Sequence, residues 1–234
     1  MRYSPLGRTA LQVSTLGFGA ATLGEEYGTL DYAEASRAVD CAIDHGVNLF
    51  DVSPYYGRTL AEERLGKALV GKRQRVVLAT KVGRYDQNLP HGFDFSAARV
   101  SRSLEDSLRR LRTEVVDLFL AHDIEFGARQ QILHETLPAM RKLQEQGKVR
   151  FIGITGFPPS FLAEVARDGD VDVVLSYCHY NLLNTALEAE LSPLAREREV
   201  GLINASPLHM GVLTPQPCQP MTSAPPAAAS AAAR

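Results

Sequence analysis

The chain has 234 residues, of which 45% are hydrophobic, and a formal net charge of −2 at pH 7. This is enough apolar material for one large α/β domain, and the charge excludes the strongly basic surface that nucleic acid or an anionic membrane attracts. No apolar run approaches the roughly 18 residues of a membrane-spanning helix, and the N-terminus lacks the apolar core of a signal peptide, so we expect a cytoplasmic protein without nucleic-acid or membrane partners.

Strands and helices are predicted to alternate along most of the chain. Residues 2–20 predict a short hairpin followed by a first strand that begins near Leu16. Later apolar runs rich in Val, Ile and Leu predict strands at 47–51, 76–81, 115–121, 150–155, 171–176 and 200–205. Helices are predicted between them. Asp31, Thr59 and Asp94 resemble the N-caps of the first three, and the others cover 132–145, 159–166 and 185–198. This pattern is typical of parallel strands covered by helices.

Polar residues end one predicted strand after another, which bears on the choice between two parallel architectures. An open doubly wound sheet concentrates its ligand groups at one switch point, whereas a (β/α)8 barrel carries them around the rim formed by the carboxyl ends of its strands. The sequence therefore favours an α/β fold of the (β/α)8 TIM-type barrel class over residues 1–213. We expect the eighth strand to be missing, because residues 214–234 are rich in proline and alanine and are expected to form a disordered tail.

Four residues at or near these strand ends form a candidate catalytic group. Asp51 and Lys81 end two neighbouring strands, Tyr56 follows in the turn after the first, and His122 comes directly after a third. If the rim brings them together, the carboxylate holds the lysine charged, and the ammonium lowers the pKa of the phenol from its ordinary value of about 10. The tyrosine would then exchange a proton with a substrate near neutral pH, and the imidazole would orient a substrate oxygen.

Two other interpretations of these residues stay open. One is structural, with Lys81 and Asp51 as an ordinary ion pair. The other is a metal-dependent hydrolase on the same barrel, with His122, Asp123, His179 and Asp51 as ligands. The hydrolase is disfavoured because no His-x-His pair follows the first strand and because Lys81 would repel a metal ion. The three cysteines are far apart, without the paired spacing of zinc or disulfide sites, so we expect no metal.

The candidate residues lie in motifs that resemble the aldo-keto reductase superfamily, and within it the L-galactose dehydrogenase group of aldose 1-dehydrogenases. The motifs are at residues 50–57, 79–81, 122–127, 148–156, 176–181 and 205–208, and the resemblance extends over about residues 2–213. It implies that Tyr56 is the acid/base, that Lys81 lowers its pKa and is bonded to Asp51, and that His122 positions the substrate oxygen. The implied reaction oxidises an aldose such as L-galactose at C1 to its lactone.

The resemblance also implies a nicotinamide cofactor, NAD or NADP, within the rim of the barrel. Its ring would lie near Thr155, Tyr177 and Ser206, with Leu208 as a further cofactor contact. Gly156 stands where many members of the superfamily have an amide-binding asparagine. We expect the tail to stand in place of the last strand and helices, which supply much of the cofactor groove in that family. We therefore expect weak or absent cofactor binding unless a partner fills the gap. The alternative is a C-terminally truncated form without activity that has at most an interaction role.

Overall fold

The computed structural model describes residues 1–85 and 92–215, and a parallel sheet of seven strands forms its centre. The strands are β1 (Tyr3–Pro5), β2 (Gln12–Ser14), β3 (Phe18–Gly19), β4 (Leu49–Asp51), β5 (Val77–Val82), β6 (Val116–Ala121), β7 (Val149–Gly156), β8 (Val173–Tyr177) and β9 (Gly201–Ala205). β1 and β2 form an antiparallel hairpin that precedes the sheet. The predicted hairpin and the six predicted strands are confirmed, each strand end lying within two residues of its predicted position.

The order of strands in the sheet follows their order in the chain, from β3 to β9. Every strand from β4 to β8 pairs in parallel with the strand before it and the strand after it. A doubly wound sheet reverses this order at its switch point, whereas a barrel does not. The predicted (β/α)8 class is therefore confirmed, with seven of its parallel strands in the described residues.

Helices follow the strands and cover the outside of the sheet. They are Tyr32–Asp44, Leu60–Ala68, Ala97–Leu111, Arg129–Gln131, the π turn Ile132–Thr136, Leu137–Glu145, Pro159–Gly169, Ala186–Glu190 and Ser192–Arg198. Asp31 caps the first helix as predicted, because its carboxylate accepts a hydrogen bond from a backbone N–H at 2.8 Å. Two predicted caps are wrong. Thr59 makes no cap bond and has left-handed φ, and Ser96 caps the third helix in place of Asp94.

The predicted helix over 185–198 is interrupted at Leu191. Pro193 lies in the first turn of the second segment, where its missing N–H costs no helical hydrogen bond. No helix within the described residues combines the length and the apolar character that crossing a membrane requires. Residues 216–234, which make up most of the predicted disordered tail, lie outside the described residues.

Apolar side chains form two layers, one on each face of the sheet. Inward-facing residues of the strands, such as Leu49, Leu118 and Leu175, meet inside the barrel, where Leu6 and Leu11 of the N-terminal hairpin pack against them. Outward-facing residues pack against the helices. This alternation follows from the period of two in a strand. Because the hairpin covers the amino end of the strands, the carboxyl rim is the end at which a site can form.

Candidate active site

The loop after β4 carries the candidate tyrosine to the carboxyl rim, the ring formed by the carboxyl ends of β3–β9 and the loops that follow them. Ser53 and Pro54 end the strand, and the Tyr56 N–H donates to the Ser53 carbonyl at 3.1 Å, which closes a turn. Gly57 has φ of +59°, and a Cβ on it would lie 2.2 Å from the Gly24 carbonyl oxygen. A larger residue would therefore displace the turn that places the phenol of Tyr56.

Lys81 connects the predicted catalytic residues. Its Nζ donates to Asp51 Oδ2 at 2.6 Å, to the Val52 carbonyl at 3.0 Å and to the Tyr56 hydroxyl at 3.2 Å. Only 1% of the residue is exposed, so all three ammonium protons need partners within the protein. The structure therefore brings together the lysine, the carboxylate and the phenol that the sequence singles out.

The charge of Lys81 is maintained by its neighbours. Burial acts to lower the pKa of Lys81, but the negative charge of Asp51 and the Tyr56 phenol oppose it, and the net shift is upward. Burial raises the pKa of Asp51, and the Lys81 ammonium at 2.6 Å opposes this rise. Lys81 is thus an ammonium at neutral pH, held in one position by three hydrogen bonds.

The expected lowering of the Tyr56 pKa is wrong for this structure. The Lys81 ammonium does lower the pKa of the phenol, but burial has the larger effect and raises it to about 12. The reason is that a phenolate at this site loses more hydration than one ammonium at 3.2 Å returns. Tyr56 is therefore a protonated phenol at neutral pH, ready to donate its proton.

His122 follows β6 and lies beside the two tyrosines. Its ring centroid is 6.0 Å from that of Tyr56 and 6.1 Å from that of Tyr55, with the rings nearly perpendicular. Burial, and then the positive charges of Lys81 and Arg84, hold the pKa of His122 well below its usual range. The imidazole is therefore neutral, with one nitrogen a donor and the other an acceptor.

Three charged residues near His122 form a cluster that the sequence analysis did not identify. We call Arg84, Asp123 and Glu125 the Asp123 cluster. The Arg84 guanidinium donates to Asp123 Oδ2 at 2.6 Å and lies over the Tyr55 ring, 3.7 Å from its centroid. Asp123 adopts φ of +55°, an uncommon conformation that asparagine and aspartate tolerate better than most residues. Arg84 could have been found as the next charged residue after Lys81 at the same strand end.

The predicted cofactor residues also lie at the carboxyl rim. Thr155 is buried near the end of β7, and Tyr177 is the last residue of β8, with its ring centroid 5.4 Å from that of Phe157. Ser206 follows β9, and Leu208 lies two residues further on and is exposed. Three consecutive strands thus deliver these four residues, whose roles stay predictions.

The alternative ligand set for a metal is not assembled in the described part of the chain. Across residues 1–85 and 92–215, no three His, Cys, Asp or Glu side chains are grouped so that they could hold a metal ion. Asp51 is engaged with Lys81, Asp123 with Arg84, and the His179 Nδ1 with the Ser176 hydroxyl. The geometry of these donors therefore gives no support to a metal-dependent hydrolase.

Sequence comparison identifies two relatives that are named as sugar dehydrogenases. The chain is 48% identical over 217 residues to L-galactose dehydrogenase of Arabidopsis thaliana, and the alignment covers 90% of this chain and 66% of the relative. It is 30% identical to D-threo-aldose 1-dehydrogenase of a Pseudomonas species, with 87% of this chain and 68% of that protein covered. The chain spans about two thirds of the length of these curated relatives.

Solved structures of aldo-keto reductases superpose on this chain. An aldo-keto reductase of Bacillus halodurans in its holo form superposes with a TM-score of 0.80 at 33% identity, over 94% of this chain and 70% of that one. An aldo-keto reductase of Klebsiella pneumoniae in complex with NADPH gives a TM-score of 0.75 at 28% identity, over 90% and 69%. The model of the aldo/keto reductase family matches residues 15–227. With its barrel, its rim residues and this match, the chain belongs to the aldo/keto reductase family.

Proposed function

We propose that this chain carries the catalytic residues of an oxidoreductase that oxidises an aldose of the L-galactose type at C1. The product is the lactone, and the hydride passes to a nicotinamide cofactor, NAD or NADP. The single observation that carries the proposal is the Lys81 ammonium, which lies 2.6 Å from Asp51 and 3.2 Å from the Tyr56 hydroxyl. The substrate class follows the names of the two curated relatives, L-galactose dehydrogenase and D-threo-aldose 1-dehydrogenase.

Tyr56 moves the proton in this proposal. In the oxidising direction its phenolate oxygen accepts the proton of the C1 hydroxyl, and in the reducing direction its phenol returns that proton to a carbonyl oxygen. A bound nicotinamide supplies the hydride acceptor. Because burial raises the pKa of Tyr56 to about 12, the phenolate fraction grows as pH rises. We therefore propose that oxidation is faster in alkaline solution than at neutral pH.

The residues at the ends of β7, β8 and β9 are suited to bind the flat, polar ring of a nicotinamide. Thr155 and Ser206 carry hydroxyl groups, and the Tyr177 ring packs near Phe157 to make an aromatic wall. Hydroxyls can orient a carboxamide by hydrogen bonds, and an aromatic side chain can stack on a pyridine ring. We propose that Thr155, Tyr177, Ser206 and Leu208 contact the cofactor, and that the reaction takes place in the cytoplasm.

The substitution Tyr56→Phe tests the proton transfer. It removes one hydroxyl oxygen and leaves the half-buried ring in place, so we expect the fold to persist and kcat to fall by about 10² to 10⁴. The measurement is the absorbance of reduced nicotinamide, formed from NAD or NADP with L-galactose and other aldoses.

Tyr32→Phe is the matched control. Tyr32 also lies against a lysine, with the Lys67 Nζ 3.8 Å from its ring centroid, but it is on an outer helix. We expect it to retain normal turnover. Near-normal turnover of Tyr56→Phe would refute the assigned role, and no oxidation of any aldose by the unmodified chain would favour the alternative of an inactive form.

A further inference from the structure

Ser53 contacts the Nδ1 edge of the His122 imidazole ring. The Ser53 Oγ lies 3.1 Å from the His122 Nδ1, and both residues are buried, Ser53 completely. The perpendicular rings of Tyr55 and Tyr56 limit the tilt of the imidazole. The hydroxyl therefore meets an imidazole whose plane is already set by packing.

The hydrogen bonds of Ser53 indicate which atom holds the shared proton. The Tyr55 N–H donates to Ser53 Oγ at 3.1 Å, so this oxygen is already an acceptor. A serine hydroxyl has one proton to donate, and within the described residues the recorded partner for it is the His122 Nδ1. If Nδ1 donated to the serine oxygen instead, the Ser53 proton would be buried without an acceptor, which is unfavourable.

The charges around the ring favour the same tautomer. Asp123 Oδ2 lies 3.8 Å from the His122 Nε2, too far for a hydrogen bond but close enough for its negative charge to attract an N–H there. That carboxylate oxygen accepts instead from Arg84 at 2.6 Å. Nε2 therefore carries the proton of the neutral ring.

We propose that Ser53 is a positioning residue for the reaction. Its hydroxyl donates to Nδ1 of His122, which fixes the proton on Nε2 and presents an N–H donor to the sugar oxygen at C1. This inference rests on the proposed function for its substrate, but the state of the imidazole can be measured without any reaction. Ser53 therefore differs from Tyr56, because Ser53 acts on the substrate only through His122.

The direct test is nitrogen NMR of the whole chain labelled with ¹⁵N-histidine. The His122 resonances are assigned by their loss in His122→Gln. We expect the unmodified protein to show protonated Nε2 and unprotonated Nδ1 at His122. In Ser53→Ala the two tautomers should mix or invert, while Ser53→Thr, which keeps a hydroxyl, should retain the original pattern.

Ser176→Ala is the matched control. Ser176 Oγ lies 3.1 Å from the His179 Nδ1, a second buried serine–histidine contact of the same length. It should shift the His179 signals and leave those of His122 unchanged. A protonated Nδ1 at His122 in the unmodified protein would overturn the proposal, and so would an unaltered tautomer in folded Ser53→Ala. The first of these outcomes does not depend on whether Ser53→Ala folds.

Kinetics add a second readout. For Ser53→Ala we expect kcat/KM for aldose oxidation to fall about tenfold, as when one hydrogen bond of about 1.4 kcal/mol is lost in the transition state. Ser53→Thr should restore most of it. If the chain oxidises no aldose, the proposed function fails while the NMR result still decides the tautomer. If oxidation proceeds and the tautomer is wrong, only the role of Ser53 fails.

Discussion

The Glu125 carboxyl group lies in surroundings that favour its protonated form. Its Oε1 accepts from the Phe157 N–H at 2.8 Å, and its Oε2 lies where a Cβ on Gly156 would be only 2.3 Å away. Burial, and then the negative charge of Asp123, raise the pKa of Glu125 to about 8 from an ordinary value of 4.5. Without a side chain at Gly156, this carboxyl group occupies the space beside the end of β7.

The raised pKa predicts how stability depends on pH. Between pH 4.5 and about 8 the folded protein holds a proton on Glu125 that the unfolded chain releases, so the contribution of this group is full below pH 4.5 and declines as pH rises through about 8. In Glu125→Gln the part of the decline that comes from this group should be absent, and at pH 8.5 the variant should be more stable than the unmodified protein by about 2 kcal/mol.

Urea denaturation at a series of pH values measures this difference. Glu135→Gln is the control, because Glu135 also accepts a backbone N–H, that of Ala97 at 2.8 Å, but lies on an outer helix. It should follow the pH course of the unmodified protein. Parallel curves for the unmodified protein and Glu125→Gln would show that Glu125 does not titrate as expected.

At the scale of residues, the sequence predicts contacts that depend on strand order and misses those that depend on loop geometry. Asp51, Lys81 and Tyr56 meet because neighbouring parallel strands end at one rim, which the pattern of apolar runs already indicates. The contact of Ser53 with His122 depends on a turn, and the Asp123 cluster depends on a left-handed residue. The shift of the Tyr56 pKa was predicted in the wrong direction, because the extent of burial cannot be deduced from the spacing of residues in the sequence.

Glu62 joins three elements outside the catalytic rim. It is completely buried on helix Leu60–Ala68, its Oε1 accepts from the Thr80 hydroxyl of β5 at 2.6 Å, and its Oε2 accepts from the Arg110 guanidinium of helix Ala97–Leu111 at 2.6 Å. A buried carboxylate is costly unless its partners remain. The contact therefore fixes both helices against the strand that carries Lys81.

Removing the partner of this carboxylate should destabilise the fold. We expect Arg110→Ala to lower the free energy of unfolding by about 3 kcal/mol, since it leaves the Glu62 charge buried with one hydroxyl. Adding Glu62→Gln in the same chain should recover part of the loss, because a neutral amide needs less compensation. Chemical denaturation of the single and double variants measures both effects.

Arg109→Ala provides the comparison on the same helix. The Arg109 side chain is 75% exposed and pairs with Asp106 at the surface, so its loss should change stability by less than about 0.5 kcal/mol. Equal effects of the two arginine substitutions would mean that the Glu62 contact contributes no more than a surface pair.

At the scale of elements, strand positions are predictable because a buried parallel strand is a continuous apolar run between turns. Caps are less so. Asp31 caps its helix as the local pattern indicates, but Thr59 adopts φ of +80° in the turn that follows Tyr56, and its hydroxyl donates to Glu63 instead. Tertiary packing of that turn overrides the local capping preference.

For the whole molecule, the arrangement of the sheet determines which parts open most easily. β6 lies between β5 and β7, and all its residues are buried. β9 pairs with β8, is bonded to no second strand among residues 1–85 and 92–215, and has half-buried residues from Leu202 to Ala205. The chain order of the strands predicts this difference, whereas the packing of the N-terminal hairpin beneath the barrel needs the structure to be seen.

We therefore expect β9 to open at a lower free energy than β6. In native-state hydrogen exchange, bonded amides of β9 should exchange about a hundredfold faster than those of β6, because fewer buried contacts break when an outer strand separates. Mass spectrometry of peptides covering 116–121 and 201–205 measures both, and β5, which also lies between two strands, should behave like β6. Equal protection of β9 and β6 would mean that further contacts cover β9 in solution, and that the sheet opens as one cooperative unit.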